Sequence, residues 1–426
     1  MTTTVRRCLG LILVAYASCL PAWAGADWPL PATTPAAAGF SSERLERLHG
    51  NLRRTVEAGN YSGYVLLLAR DGKVADWRAH GWHDVAAATP MQRDSIVKIY
   101  SMSKIITSAA LMMLVEDGLV RLGDPVEKFL PALRDRQVFA GGTADQPELV
   151  KAQRAITVRD LLTHTAGYYY EESYSSDAPL GELFRRQGIW EASNLEDFVS
   201  RVAKLPLHEQ PGTRFRYGIS TDLLGAIIEK ASGETLDRFL ARRIFEPLQL
   251  RDTGFWVPEA KQSRLALVHT RGEAGKVSAG ATGNESVASP EGGLLSGGGG
   301  LYSTAADYAR FAQMLLNGGE LDGVRLLSRK TLELMTQNHL EGLEVPHPFG
   351  IPSQGFGLGV RVVTHLGAST LLGSPGTFGW DGAATTFVLM DPRERLVAIL
   401  LLQHFPFNQD DVFATFTNGI YSALAD

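Results

Sequence analysis

The stretch IYSMSKIITSAALMMLVEDG, residues 99–118, decides how the rest of the chain is interpreted. Its apolar residues recur at the three- and four-residue spacing of a helix, and Gly118 stands where a C-terminal cap would lie. We therefore expect a mostly buried helix. Ser101 falls in its first turn and Lys104 follows three residues later, an interval that places both side chains on one face of the helix.

The pair of Ser101 and Lys104 has the spacing of acyl-transfer enzymes that use serine and lysine. A serine hydroxyl is a weak nucleophile until a base removes its proton, and the positive N-terminus of a helix favours the anion that results. The pattern alone is weak, because Ser95 and Lys98 match it too. That second pair lies in a segment predicted to be extended, where residues three apart point to opposite faces. Without the rest of the chain, a helix cap at Ser101 would be the simpler interpretation.

The first 24 residues have the order of a secretory signal peptide. Arg6 and Arg7 precede an apolar run, and Ala22-Trp23-Ala24 resembles a cleavage site. The run is too short to span ~30 Å of hydrocarbon, and a lipoprotein anchored at Cys19 is the weaker alternative. We therefore expect a protein exported to the periplasm or the medium. Cys8 and Cys19 both fall within this segment, so the mature chain would have no disulfide, no cysteine nucleophile and no zinc–cysteine site.

The composition of the chain argues against a nucleic-acid-binding protein and against a membrane-spanning one. The formal net charge of -5 leaves no basic patch for nucleic acid, and no second apolar run is long enough to span a membrane. The ~400 residues after the signal peptide exceed the usual size of a single core, which predicts two lobes. We expect an extended arm at residues 25–40 and one domain at 41–426. An α/β lobe would comprise about 41–100 and 291–426, and a helical lobe about 101–290.

Local patterns support this α/β (α+β) organisation. Ser41 is expected to cap a helix that ends near Gly59, and Asp71-Gly72 to form the turn of a β-hairpin. Apolar segments from Asp124 to about Pro290 favour helices joined by polar loops. Late strands and a terminal helix follow. The glycine run 297–300 lacks the spacing of phosphate- or dinucleotide-binding loops, so it indicates close backbone packing near a pocket.

Two further stretches of the sequence contain candidate residues for proton transfer and for binding the oxyanion of the reaction. Pro211-Gly212-Thr213 leads to Tyr217 in a loop ahead of a helix, and a phenol held beside Lys104 could act as a general base. Taken alone, an ordinary packed loop tyrosine is the simpler interpretation. Trp380-Asp381-Gly382 enters a strand, where glycine would let a backbone N–H approach a substrate carbonyl. With the N–H of Ser101 it would form an oxyanion hole, each donor contributing ~3 kcal/mol. A tight hairpin is the alternative.

Taken together, these motifs resemble those of the serine β-lactamase and penicillin-binding-protein superfamily, and within it the class C-like family VIII carboxylesterases. The resemblance covers most of residues 40–424 and rests on the motifs of Ser101, Tyr217 and Trp380, with His164-Thr165-Ala166-Gly167 between them. It implies a β-lactamase/transpeptidase-like fold, an antiparallel sheet flanked by helices with an inserted helical lobe. It also implies Ser101 as nucleophile, Lys104 and Tyr217 sharing the base and acid roles, and an oxyanion hole from the backbone of Ser101 and Ala383.

The chain departs from the β-lactamase pattern at two places that contact substrate. Tyr217-Gly218-Ile219 replaces Tyr-x-Asn, so Ile219 stands where an amide would contact an acylamino group. Trp380-Asp381-Gly382 replaces Lys-Thr-Gly, which removes an ammonium and adds the charge of Asp381. The family VIII esterases typically have Trp-Gly-Gly there.

We therefore expect an exported serine hydrolase that cleaves small, mainly short-chain carboxylic esters through an acyl-enzyme on Ser101, without metal or cofactor. A class C-like β-lactamase, a D-amino-acid peptidase and a penicillin-binding sensor that is acylated but not turned over are the alternatives. Whether Lys104 or Tyr217 is the primary base is left open, as are the acyl-chain range and the oligomeric state.

Overall fold

The computed structural model describes residues 28–171, 178–272, 275, 277–280, 288–343 and 347–425. The predicted signal peptide, with Cys8 and Cys19, lies outside these residues. In the described ranges a large antiparallel sheet is flanked by helices. The fold class predicted from the sequence is therefore confirmed.

The helices and strands of the described residues are numbered here in chain order. The α-helices are α1 (Ser42–Glu57), α2 (Ser103–Glu116), α3 (Val158–Leu162), α4 (Pro179–Gln187), α5 (Leu195–Val202), α6 (Ser220–Ser232), α7 (Leu236–Leu240), α8 (Ala305–Leu316), α9 (Arg329–Met335) and α10 (Val412–Ala423). The strands are β1 (Gly63–Arg70), β2 (Lys73–Asp84), β3 (Thr89–Pro90), β4 (Val97–Lys98), β5 (Gln137–Gly142), β6 (Pro147–Lys151), β7 (His269–Arg271), β8 (Val277–Ala279), β9 (Tyr302–Ser303), β10 (Glu320–Leu321), β11 (Val324–Arg325), β12 (Gln354–Phe356), β13 (Arg361–Val363), β14 (Phe378–Gly382), β15 (Thr386–Asp391), β16 (Leu396–Leu401) and β17 (His404–Phe405).

The main sheet has the strand order β12-β13-β14-β15-β16-β1-β2-β3, and its neighbouring strands are antiparallel. Successive side chains of a strand point to opposite faces. In β1, Leu66 and Leu68 pack with α1 and α10, whereas Val65 and Leu67 face the larger core that contains α2 and α8. The sheet therefore separates an outer helical layer from the part of the core that carries the Ser101 helix.

The first two elements form for the local reasons that the sequence indicates. The Ser41 hydroxyl caps α1 by accepting a hydrogen bond from the Arg44 N–H at 3.3 Å. Asp71 and Gly72 both have positive φ, as the two central residues of a type I′ hairpin turn require. The predicted α1 and the predicted β1-β2 hairpin are both confirmed.

The region from Asp124 to Pro290 contains α3 to α7, as predicted, but also a hairpin that the sequence interpretation missed. Strands β5 and β6 are largely exposed, so they lack the clear alternation of a half-buried strand. A bridge between Val138 and Leu207 joins this hairpin to the chain that follows α5.

The predicted arm, residues 25–40, is described from residue 28 onwards. Leu30 and Phe40 are buried, and the Thr33 N–H donates to the Val74 carbonyl at 2.9 Å. A short 3₁₀ turn spans Ala36–Ala38. This segment therefore lies against the body of the protein. None of the helices in the described ranges is long and apolar enough to cross a membrane.

Helix α8 carries a buried carboxylate close to its N-terminus. Asp307 accepts hydrogen bonds from the Asp252 N–H at 2.6 Å and from the Thr253 hydroxyl at 2.8 Å. Burial raises the pKa of Asp307 to about 6, although these hydrogen bonds act in the opposite direction. The folded protein therefore binds this proton more tightly than the unfolded chain does.

The stabilising contribution of Asp307 is complete below the unfolded pKa of ~3.9 and is lost as the pH rises through about 6. We expect Asp307→Asn to reduce the fall in unfolding free energy across this window, by up to about 3 kcal/mol. Urea denaturation at pH 4, 5, 6 and 7 measures this. Asp145→Asn removes an exposed carboxylate and should retain the wild-type slope. Equal slopes for wild type and Asp307→Asn would contradict the expectation.

Candidate active site

Ser101 lies in a 3₁₀ turn, Tyr100–Met102, directly before α2 begins at Ser103. Tyr100 has a φ of +45°, a value uncommon for residues other than glycine. The neighbouring Ile99 fixes the turn because its N–H donates to the Leu301 carbonyl at 2.9 Å and its carbonyl accepts from the Thr386 hydroxyl at 3.2 Å. The serine is thus presented at the entrance to the helix, one turn ahead of Lys104.

Lys104 is buried, and its amine is surrounded by three oxygen atoms. Nζ lies 3.1 Å from Ser101 Oγ, 3.1 Å from Tyr170 Oη and 2.6 Å from the Gly298 carbonyl oxygen. It also lies 4.9 Å from the centroid of the Tyr217 ring. The predicted contact between Ser101 and Lys104 is therefore present. Tyr170 is a partner that the sequence interpretation missed.

The competing pair, Ser95 and Lys98, is not brought together in this way. Lys98 is in β4, as the predicted extended segment requires, and its Nζ lies 5.1 Å from the centroid of the Tyr100 ring. The Ser95 hydroxyl accepts a hydrogen bond from the Gln92 N–H at 2.9 Å.

A buried carboxylate binds the backbone N–H of Gly298, the residue whose carbonyl accepts a hydrogen bond from Lys104. Asp222 Oδ1 accepts hydrogen bonds from the Gly298 N–H at 3.0 Å and from the Ser296 hydroxyl at 2.6 Å. Burial raises the pKa of Asp222, while the charge of Lys104 acts in the opposite direction. A Cβ at position 298 would collide with the Asp222 carboxylate. The close packing predicted for the glycine run is confirmed here.

Tyr217 lies beside this group, but Trp380 is its hydrogen-bond partner in the described structure. The Trp380 indole N–H donates to Tyr217 Oη at 3.1 Å, and the two ring centroids lie 5.2 Å apart. His164 also packs against Tyr217, with ring centroids 4.9 Å apart. Burial, followed by the charge of Lys104, holds the pKa of His164 well below its usual range. His164 is therefore a neutral, aromatic neighbour of the phenol.

The Trp380 motif lies at the C-terminal end of β14. Only Phe378 and Gly379 of this strand pair with β13, so residues 380–382 have a strand edge without a partner strand among the described residues. Gly382 packs so closely on the Ile99 carbonyl that a Cβ would collide with it. This glycine therefore allows the end of β14 to approach the turn that carries Ser101. Ala383, the second predicted donor of the oxyanion hole, is the next residue in the chain.

The charge of Asp381 is balanced within the protein. Its Oδ2 lies 2.8 Å from Nη1 of Arg361, and both side chains are about four-fifths buried. The Arg361 guanidinium also lies 5.5 Å from the centroid of the Trp380 ring. The sequence alone indicates that Asp381 adds a negative charge to the site. The structure corrects this, because Arg361 neutralises it and is itself occupied by the pair.

A cavity of about 570 Å³ opens beside these residues. Ser101, Tyr217, Trp380, Asp381 and Ala383 all line it, so five of the predicted site residues share one space. Lys104 does not line the cavity itself, but its amine contacts Ser101, which does. Ile219 is fully buried at the start of α6 and does not line the cavity, and neither does Gly382.

Sequence reasoning missed Tyr170, Asp222 and Arg361. Tyr170 had a weak signal, as the last of three tyrosines that follow His164-Thr165-Ala166-Gly167. Asp222 and Arg361 had none, because each becomes relevant only through residues far away in the chain. Within the described ranges, no group of three or more His, Cys, Asp or Glu side chains is arranged to hold a metal ion.

An antiparallel sheet flanked by helices, with serine and lysine at the start of a buried helix, defines a β-lactamase/transpeptidase-like protein. Residues 48–418 match the family described as Beta-lactamase, and the chain belongs to that family.

Three relatives illustrate the range of the similarity. An uncharacterized protein of Mycobacterium tuberculosis is 35% identical over 369 residues, which cover 85% of this chain and 90% of that protein. A putative D-alanyl-D-alanine carboxypeptidase of Salmonella typhi is 27% identical, covering 88% and 86% respectively. The solved structure of EstCE1, a hydrolase with promiscuous acyltransferase activity, superposes with a TM-score of 0.75 at 26% identity and covers 89% of this chain and 99% of its own.

Proposed function

We propose that the protein is an exported serine hydrolase that cleaves small carboxylic esters, short-chain ones included, through an acyl-enzyme on Ser101. One observation carries the proposal: the buried Lys104 amine lies 3.1 Å from the Ser101 hydroxyl, at the edge of the cavity. Family membership supports a hydrolase of β-lactamase fold. The order of residues in the first 24 positions supports export.

The first half of the reaction forms the acyl-enzyme. Lys104 accepts the Ser101 proton while Oγ attacks the ester carbonyl carbon, a step that requires the amine to be unprotonated at that moment. The backbone N–H groups of Ser101 and Ala383 stabilise the oxyanion of the tetrahedral intermediate. When the carbon–oxygen bond to the alcohol breaks, the proton passes to the leaving oxygen and the acyl group remains on Ser101.

The second half hydrolyses that intermediate. Water gives a proton to the same base and attacks the acyl carbon, and the Ser101 oxygen leaves as it regains a proton. Two phenols are candidates for the proton transfers that Lys104 does not make. Tyr170 Oη is 3.1 Å from Lys104 Nζ, whereas Tyr217 is held by the Trp380 indole N–H. Lys104 as primary base is supported by its direct contact with Ser101.

The nucleophile assignment is tested by covalent labelling. A fluorophosphonate should modify the peptide that contains Ser101, because the Lys104 amine lies within hydrogen-bond distance of its hydroxyl. Ser101→Ala should abolish labelling and ester hydrolysis. Ser95→Ala is the matched control from the competing motif and should retain most of both, provided that circular dichroism shows a folded protein. Labelling that survives Ser101→Ala would disprove the assignment.

Two matched substitutions, Tyr217→Phe and Tyr170→Phe, test which of the two phenols takes part in proton transfer. General acid–base groups typically contribute 10²–10⁴-fold, so we expect Tyr217→Phe to lower kcat by about that factor with little change in thermal stability. Tyr170→Phe removes a Lys104 partner and should lower kcat less. Single-turnover kinetics separates acylation from deacylation in both variants. A near-wild-type rate in Tyr217→Phe would leave Lys104 and Tyr170 as the remaining candidates.

Two substitutions favour neutral esters over β-lactams. A β-lactam brings a carboxylate and an acylamino group. Here Trp380 lines the cavity where the motif would supply an ammonium, and Ile219, at the position of the amide, is buried away from the cavity. Arg361 does not replace the missing cation, because it is paired with Asp381. If one charge-assisted hydrogen bond contributes ~1.5–3 kcal/mol, its loss weakens selection for an anionic substrate roughly 10- to 150-fold.

We therefore expect kcat/KM for p-nitrophenyl butyrate to exceed that for a chromogenic cephalosporin, with weak cephalosporin hydrolysis remaining. The assay should include a D-Ala-D-Ala peptide, because Salmonella relatives are described as putative carboxypeptidases for such peptides. Ser101→Ala provides the background for each substrate. A cephalosporin turned over as efficiently as the butyrate ester would favour a β-lactamase, and a stable adduct without turnover a penicillin-binding sensor.

A further inference from the structure

Exposed apolar side chains are concentrated around the mouth of the candidate active site. Eleven large apolar residues are exposed in the described ranges, and five of them line the cavity that contains Ser101. We call these five residues the apolar rim: Phe349, Ile351, Leu366, Leu372 and Phe407. Single exposed apolar residues need no explanation, whereas a group around one opening indicates a surface that binds an apolar molecule.

The interior of the same cavity is also apolar away from Ser101. Leu371, Phe378, Phe387, Leu389 and Phe413 contribute to its wall as it extends between the sheet and α10. Its charged lining residues are Arg361 and Asp381, which pair with each other, and Asp411. Asp411 is exposed at the surface, so a substrate group that lies against the apolar wall loses water without gaining a charged partner there, which favours an apolar group over a polar one.

We propose that the substrate class of this site is esters that carry an extended apolar chain, longer than four carbons, which lies in the cavity and emerges across its apolar rim. The inference rests on the proposed function and deepens it. The sequence predicts mainly short-chain esters, but a cavity of about 570 Å³ is in the size range that buries most of a drug-sized ligand, and a butyryl group would leave much of it unfilled.

The expected effect of chain length follows from apolar burial. Burying one CH₂ group is favourable by ≈0.8 kcal/mol, which corresponds to about fourfold in affinity, and part of this is lost in ordering the chain. From butyrate to octanoate we therefore expect kcat/KM to rise at least about tenfold. The gain should appear mainly in KM, because the chain contacts the protein equally in the ground state and the transition state.

The experiment uses two substrate series on the wild-type protein. p-Nitrophenyl esters from acetate to dodecanoate vary the acyl chain, and alkyl acetates from ethyl to decyl, followed by pH-stat, vary the alcohol. All are measured below their critical micelle concentrations. A rise with length in either series supports the proposal and identifies which side of the ester occupies the cavity. A flat profile in both series overturns it.

Two matched variants test whether the apolar rim causes the preference for long chains. Leu372→Gln changes a half-exposed rim residue and should reduce the octanoate-to-acetate ratio of kcat/KM several-fold. Leu119→Gln changes a side chain of similar exposure, 50% against 51%, that does not line the cavity, and should leave the ratio unchanged. Equal ratios in both variants and the wild type would overturn the proposal.

Failure of this proposal is distinguishable from failure of the proposed function. Acetate hydrolysis that disappears in Ser101→Ala supports the function whatever the chain-length profile. A wild-type protein that hydrolyses none of the esters contradicts both, whereas Ser101-dependent acetate hydrolysis with a flat profile contradicts only the apolar-chain proposal.

Discussion

The need to satisfy one buried amine determines the arrangement of the site. Lys104 lies inside the core, where an unpaired ammonium or amine would be costly, so each of its hydrogen-bond positions requires an oxygen. Ser101, Tyr170 and the Gly298 carbonyl supply those oxygens from three separate parts of the chain. Movement of any one of these segments removes one of the three partners of the amine. The conformations of the serine turn, the tyrosine segment and the glycine run are therefore coupled through a single nitrogen atom.

Residues that do not contact Lys104 themselves also help to fix its position. Asp222 binds the N–H of Gly298, the residue whose carbonyl receives Lys104, so a helix that does not reach the cavity still fixes the geometry of the base. On the other side, Trp380 places a neutral indole N–H on Tyr217 where the related motif has an ammonium. This arrangement retains a hydrogen-bond donor for the phenol but removes a positive charge from the site. Arg361 and Asp381 cancel each other beside it, which leaves a cavity wall with little net charge.

Sequence patterns predicted those features that depend on neighbouring residues. The cap at Ser41, the Asp71-Gly72 turn and the spacing of Ser101 and Lys104 are local, and each was found in the structure. The missed features depend on residues brought together only by the complete fold. Tyr170 reaches Lys104 through the path of a loop, and the exposed β5-β6 hairpin lacks the alternation that marks a strand. The pairing of Asp381 with Arg361 needs two adjacent strands, so the sequence could show the carboxylate but not its counterion.

The position of β1 in the sheet has a consequence for the order of folding events. Its partners on one side belong to β16, where Val65 lies opposite Leu401, so two central strands come from nearly opposite ends of the chain. Pairing over so large a separation must wait until almost the whole polypeptide has been synthesised, and such non-local contacts form slowly. Until then, the apolar residues of β1 and the Ser101 helix lack their final neighbours. The N-terminal half is therefore the part of the sheet whose apolar residues wait longest for their partners.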